Sequence, residues 1–320
     1  MVKLTTPEIV ELQKLCHRSF PSRLDQRVSQ FSFRQDDRYR LLSMALSWTE
    51  SRRPRVERLI VRGYVTRWTW WRLDDDAPAG AKAQREWQVM RWLYGQGWPV
   101  PRVYATGDDY LLTEATWQSA GTLQNGRAEI EPYIQPLARL LAQLHRLSPP
   151  GAVRETLPSV AVDAELARLK AIAAQCGDDG LKKALSELSI LFAKPDVEAY
   201  PPCVLCGEAV FARARFDARG VTLPSWENCA YGDPRWDLGS AVNWLRAHDA
   251  AALIDRFLDA YLACNMNTRD DLDIWLALSG AQRWALTSWL REQDANCPLV
   301  AGRSTWLELT WRALTRLRRP

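Results

Sequence analysis

Histidine is scarce in this chain, with three residues in 320, at positions 17, 145 and 248. None gives the lone Cys203-Val204-Leu205-Cys206 pair a second pair of ligands at zinc spacing, so a structural zinc module is excluded. No apolar run approaches the roughly 18 residues of a membrane helix, so no membrane partner is expected. The opening Met1-Val2-Lys3-Leu4-Thr5-Thr6-Pro7-Glu8 has no apolar signal segment. The seven cysteines are odd in number and irregular in spacing, which gives no disulfide framework. A cytoplasmic protein with reduced, buried thiols is expected. Repeats and low-complexity linkers are also absent. With 47% hydrophobic and 25% charged residues, the composition excludes a disordered or fibrous chain, and the length suits one large or two coupled domains.

Charge is present but uneven. Residues 1–72 carry 15 Lys/Arg against 7 Asp/Glu, while the whole chain balances at +4. A basic front invites a polyanion, but solvated arginines on strand edges would look the same. No nucleic-acid-binding motif accompanies the charge, so no nucleic-acid partner is expected. The 16 tryptophans suit core and interfaces, or an aromatic cage that composition alone does not place.

Periodicity orders the chain. Thr5-Thr6-Pro7-Glu8 is a helix start, a hydroxyl cap with an early proline and an acid in the first turn, and predicts a helix over Glu8–Phe20. Three alternating runs, Arg27–Arg34, Tyr39–Trp48 and Val56–Val65, predict a meander of strands. Trp68–Gly80 reads as a loop. Ala83–Tyr94 reads as a helix whose stripe of Val89, Met90 and Leu93 carries Glu86 on its apolar side, where a carboxylate needs a partner. Strands Arg102–Ala105 and Tyr110–Glu114 follow. Helices are then predicted over Pro132–Leu147, Val162–Cys176, Leu181–Phe192, Leu238–Ala247, Ala250–Ala263, Leu272–Arg291 and Thr305–Leu317. One strand-rich interruption, Cys203–Glu227, breaks them.

This order, with Arg85-Glu86-Trp87 through Val100-Pro101-Arg102-Val103, Leu111-Leu112-Thr113-Glu114, Leu137–Leu147 and Gly232-Asp233-Pro234-Arg235-Trp236-Asp237-Leu238, resembles the aminoglycoside phosphotransferase and choline-kinase-like family. The resemblance implies an α+β, protein-kinase-like two-lobe fold. An N-lobe of residues 1–115 would hold a five-stranded sheet plus one helix. A helical C-lobe of residues 116–320 would carry the catalytic-loop-like hairpin. It also implies phosphoryl transfer from ATP, which is positioning plus electrostatics. Arg62, ending Leu59-Ile60-Val61-Arg62, takes the family's cation position and Glu86 its helix carboxylate. With Glu114 they make up the implied cofactor-binding set. An Arg–Glu pair is bidentate and persistently charged; it would equally tie helix to sheet with no nucleotide, and both readings stand.

Against the same pattern, the chemistry is depleted. The first hairpin, Phe33-Arg34-Gln35-Asp36-Asp37-Arg38-Tyr39, has no glycine to let phosphates approach the backbone. The family's H-G-D-x-H-x-x-N is matched by Cys206-Gly207-Glu208-Ala209-Val210-Phe211-Ala212-Arg213. Glu208 therefore stands for the catalytic Asp with one extra methylene, and Arg213, which cannot ligate a cation, stands for the metal-binding Asn. Pro224-Ser225-Trp226-Glu227 matches I-D-W-E, so Ser225 replaces the magnesium-holding Asp. Glu227 is the one candidate for a substitute ligand, if a strand puts it on the face of Ser225. Asp233 and Asp237 match brace positions, and His145 matches a helix position where a packed role is expected. The resulting expectation is a pseudokinase that binds a small molecule or protein partner, with ATP as candidate cofactor and no magnesium expected. The alternative is an atypical ATP-dependent phosphotransferase for a small-molecule hydroxyl, with Glu208 as base, Glu227 as the only metal ligand and Arg213 as phosphate clamp.

Overall fold

The structure, a computed structural model, describes residues 5–35, 39–64, 79–115, 121–122, 130–194, 200–207, 210–217, 220–264, 271–293 and 302–318. The Asp36-Asp37 turn, most of the Trp68–Gly80 loop and Glu208 lie outside them. Two compact units emerge. Among the described residues, the first takes those up to Gly121 together with Arg215–Glu227, and the second takes those of Thr122–Ala214 and from Asn228 onward. Residues 116–120, at the expected 115/116 boundary, lie outside the described residues. The division returns Arg215–Glu227 to the first unit, a long-range grouping that a linear reading of lobes does not reveal.

In the first unit, helix α1 (Thr6–Ser19) starts where the cap pattern puts it. Glu8 accepts the Thr5 N–H at 2.6 Å and its hydroxyl at 2.8 Å. Strands β1 (Leu24–Gln35), β2 (Tyr39–Glu50) and β3 (Arg53–Tyr64) form the meander. Helix α2 (Ala79–Gly95) and strands β4 (Val103–Thr106) and β5 (Tyr110–Glu114) follow. The sheet is antiparallel, in the order β1-β2-β3-β5-β4. Leu59 and Arg62 are three residues apart on β3, so the two-residue period of a strand sends them to opposite faces. Leu59 joins Leu15, Cys16 and Phe20 in a core with Met44, Leu46 and Leu112, under α1. Arg62 points the other way, to Glu86 on α2. Strand β1 lies at the sheet edge. Register shifts interrupt it between Leu24 and Arg27 and between Ser29 and Ser32, with Asp25 and Gln30 at φ 53° and 54°. Such bulges make an edge hard to extend by another strand.

The second unit is mainly helical: α3 (Ile134–Arg146), α4 (Val162–Gln175), α5 (Asp179–Phe192), then strand β6 (Cys203–Leu205) and the short α6 (Val210–Arg213). Hairpin strands β7 (Arg215–Asp217) and β8 (Gly220–Thr222) belong to the first unit. Strand β9 (Ala230–Gly232) pairs with β6. Helices α7 (Arg235–Ala247), α8 (Ile254–Leu262), α9 (Leu272–Gln293) and α10 (Arg303–Leu317) complete it. The predicted strand character of Cys203–Glu227 ends at Thr222. Pro224 has no N–H to give a ladder, and residues 223–229 run as irregular chain and turn. Gly239 on α7 lets that helix approach α9, because a Cβ there would lie 2.7 Å from the Trp275 carbonyl oxygen. Among the described residues no helix is long and apolar enough to cross a membrane.

One carboxylate ties three helices of this unit. Asp178, the N-cap of α5, accepts the Leu181 N–H through Oδ1 at 3.1 Å. Its Oδ2 accepts from Trp284 Nε1 at 2.8 Å and Ser288 Oγ at 2.8 Å on α9, and from Arg303 Nη2 at 2.7 Å on α10. Burial pushes its pKa up, but the hydrogen bonds from Arg303, Ser288 and Leu181 outweigh it and hold the carboxyl below its usual 3.8. A folded value below the unfolded one gives stability that is complete above the unfolded pKa and lost as pH falls through the folded value. Asp178→Asn should therefore cost about 3 kcal/mol or more at pH 7, the usual scale for breaking a buried pair. In urea unfolding between pH 7 and pH 2, the gap between variant and wild type should hold down to about pH 4 and narrow below it; a gap constant over the whole range would refute this role.

Candidate functional site

In the first unit, β3 delivers Arg62 and α2 delivers Glu86, and the two meet at 2.5 Å (Arg62 Nη1 to Glu86 Oε1). Both are buried, at 2% and 0% exposure. Two charges this deep need further hydrogen bonds to offset desolvation, and the chain near residue 225 supplies them. Arg62 Nη2 donates to the Pro224 carbonyl at 2.8 Å, and the Trp226 N–H donates to Glu86 Oε1 at 2.7 Å. The pair thus grips the backbone on both sides of Ser225. Trp226 is fully buried, donates its indole N–H to the Leu223 carbonyl at 3.0 Å, and meets Trp98 edge-on. Leu223 is in turn fastened to the Pro99 carbonyl at 2.7 Å.

Ser225 is half-buried within this grip. Glu227 is buried in the turn that follows, with its own carbonyl accepting from Arg85 Nη1 at 3.4 Å. The strand that would have put Glu227 on the face of Ser225 does not form, which corrects that expectation. Glu114 ends β5, opposite Leu59, while Arg62 lies opposite Leu111. It is therefore three strand positions from the cation, and its N–H is bonded to the Arg102 carbonyl at 2.9 Å.

The second unit has its own polar centre. Asp237, 1% exposed on the first turn of α7, accepts the Cys206 N–H through Oδ2 at 2.6 Å and the Gly207 N–H through Oδ1 at 3.0 Å. Gly207 has φ 78°, a conformation glycine adopts freely. His145 lies between Asp237 Oδ2 (3.2 Å from Nε2) and the Tyr261 hydroxyl (2.7 Å from Nδ1). Asp233 accepts the Arg235 N–H at 2.9 Å and its guanidinium at 3.0 Å and 2.7 Å. Arg235 is buried between Tyr200 and Trp275, with its guanidinium carbon 4.3 Å and 5.1 Å from their ring centroids. Glu208 lies outside the described residues, and of Arg213 only the backbone, ending α6, is described. The Cys203 thiol is pushed well up by burial, then by the charges of Asp237 and Asp233, which makes it a poor nucleophile.

Sequence reasoning reached Arg62, Glu86, Asp233 and Asp237. It missed Arg235, although that residue sits inside the Gly232–Leu238 segment. It also missed the Pro224 carbonyl and Trp226 N–H, since backbone partners more than a hundred residues away leave no side-chain signature.

Removing Glu86 strands a buried guanidinium, so Glu86→Ala should lose about 3–5 kcal/mol of stability in denaturant unfolding. The double variant Arg62→Met with Glu86→Leu should recover most of that loss, because apolar replacement of a whole buried pair is often neutral. Equal losses in the single and double variants would contradict the pairing.

A family model described as the phosphotransferase enzyme family matches residues 66–278, while no curated protein sequence matches the chain. Among solved structures, the chain is similar to a macrolide 2'-phosphotransferase type I, at 14% identity and TM-score 0.63, covering 100% of both chains. It is similar to choline kinase from Cryptosporidium parvum Iowa II, at 11% identity and TM-score 0.66, covering 96% of each. A thermostable mutant of aminoglycoside phosphotransferase APH(4)-Ia, in ternary complex with ADP and hygromycin B, matches at 14% identity and TM-score 0.61, covering 97% of this chain and 100% of that one. At these identities the likeness is one of fold, and the shared fold is protein-kinase-like.

Proposed function

We propose that this chain, which belongs to the phosphotransferase enzyme family, uses the family's scaffold to bind a ligand or partner and does not transfer phosphoryl groups at an enzyme's rate. The observation that carries this reading is the grip on residues 224–226. Arg62 donates to Glu86 and to the Pro224 carbonyl and is buried, so its charge serves the protein's interior. What the grip presents is Ser225, a neutral hydroxyl. Magnesium is held by hard anionic oxygens. Glu86 is closed by Arg62 and Trp226, and Glu227 is buried. A neutral hydroxyl at Ser225 and a cation at Arg213 do not fit magnesium.

Arg213 and Glu208 weaken the case for chemistry from the sequence side. A cation stands where an uncharged ligand is needed, and a longer carboxylate moves a base by about the ångström that matters in positioning. The ADP complex of a structural neighbour makes an adenine nucleotide the first ligand to try. Six cysteines among the described residues are reduced thiols, outside any disulfide, which suits a reducing compartment such as the cytoplasm. One observation favours the atypical phosphotransferase instead: Asp237 holds the Cys206–Gly207 backbone directly before Glu208, as a working loop would require.

A screen of hydroxyl compounds, including aminoglycosides, macrolides and choline, with labelled ATP separates the two. The wild type and Glu208→Asp should show only trace transfer, because residues that act as a unit are strongly non-additive. Robust wild-type transfer that disappears in Glu208→Ala would overturn the binding-protein reading and establish Glu208 as the base.

A further inference from the structure

A cleft of about 650 Å³ opens on the first unit between the α1–β1 turn, the second half of α2 and the start of β4. That volume is within the roughly 300–1,000 Å³ usual for small-molecule sites. Its walls bring together Arg23, Arg91 and Arg102 with Phe20, Trp87 and Tyr104, and no residue lining it is acidic.

Each guanidinium lies on a ring. Arg23 is 3.9 Å from the centroids of both Phe20 and Trp48; Arg91 is 4.5 Å from that of Trp87, and Arg102 5.3 Å from that of Tyr104. Arg23 is held in place by Glu57 at 2.7 Å, and Glu57 also accepts the Tyr104 hydroxyl. Burial pushes the Tyr104 phenol up first, and the bond to Glu57 and its charge push it further, so it stays a donor. Glu57 thus balances Arg23. Arg91 and Arg102 are exposed, and neither pairs with a carboxylate among the described residues. Two uncompensated guanidinium forks, oriented by aromatic faces beside a concave surface, form an arrangement that matches a planar anion in two ways. The forks suit phosphate or carboxylate oxygens, and the rings offer a flat apolar wall. The Arg–aromatic stacks reduce the freedom lost on binding, which is where preorganised sites gain affinity.

We propose that this cleft is a binding site for a small aromatic anion, a ring carrying a phosphate or a carboxylate, held by Arg91 and Arg102 at its charged end and by the Trp87–Tyr104 wall at its ring. The site lies wholly within the first unit and is independent of whether the chain transfers phosphate.

Calorimetric titration of the full chain with phenyl phosphate and with benzoate tests it, with inorganic phosphate and benzyl alcohol as controls. At least one aromatic anion should bind with Kd below about 1 mM, a realistic level for so small a ligand, and at least about tenfold tighter than either control. Which of the two prevails decides between phosphate and carboxylate. The double variant Arg91→Ala with Arg102→Ala should lose about tenfold or more in affinity for it while keeping the wild-type circular dichroism and melting temperature, since both side chains are exposed. Three results would overturn the proposal: no binding of either aromatic anion below about 1 mM, inorganic phosphate binding as tightly, or unchanged binding in the double variant.

Discussion

The buried ion pair between Arg62 and Glu86 is the constraint on which the first unit turns. Two opposite charges removed from water repay their desolvation only with good geometry and with their remaining hydrogen-bonding groups engaged. Here the engagement comes from the Pro224 carbonyl and the Trp226 N–H. The requirement to satisfy the pair is therefore what fastens residues 224–226 beneath the sheet and gives Arg215–Glu227 to this unit. It also decides what Ser225 can do. A segment held on both sides presents whatever side chain lies between, and here that side chain carries no charge.

The second unit follows the same logic around different carboxylates. Asp237 binds the Cys206–Gly207 backbone and faces His145, which Tyr261 completes. Asp233 orients Arg235, and Asp178 joins α5, α9 and α10. These acids organise backbone and cations inside the protein. This scaffolding does not depend on Ser225 or Arg213, positions where the motif differs from the family pattern.

Much of this was legible in the sequence, for identifiable reasons. The capping pattern at Thr5–Glu8, the alternation in β1 to β3 and the apolar stripe of α2 are local, so periodicity found them to within a few residues. Glu86 was legible because a carboxylate on an apolar face needs a partner, and Arg62 because it ends an apolar strand. The rest is non-local. Pro224 ends the strand character predicted to reach Glu227, and the partners of its segment lie on β3 and α2. Arg235 reads as a surface arginine until Asp233, Tyr200 and Trp275 are seen around it. The arginine-lined cleft is assembled from three separated stretches, and Arg91 and Arg102 lie outside the basic front of residues 1–72, so nothing local announced it. Glu208 lies outside the described residues and Arg213 is described only in its backbone, so both are read from the motif alone.

The proposed binding role implies a scaffold that handles nucleotide phosphates without magnesium, and magnesium linkage tests this directly. Calorimetric titration of the wild-type chain with ATP, in the presence and absence of magnesium, compares two affinities on one protein. The account predicts that magnesium leaves the affinity unchanged, or that ATP fails to bind in both conditions. A tightening of about tenfold or more on adding magnesium, equivalent to about 1.4 kcal/mol of coupling, together with its loss in Glu227→Ala, would contradict the account and restore a metal site to this fold.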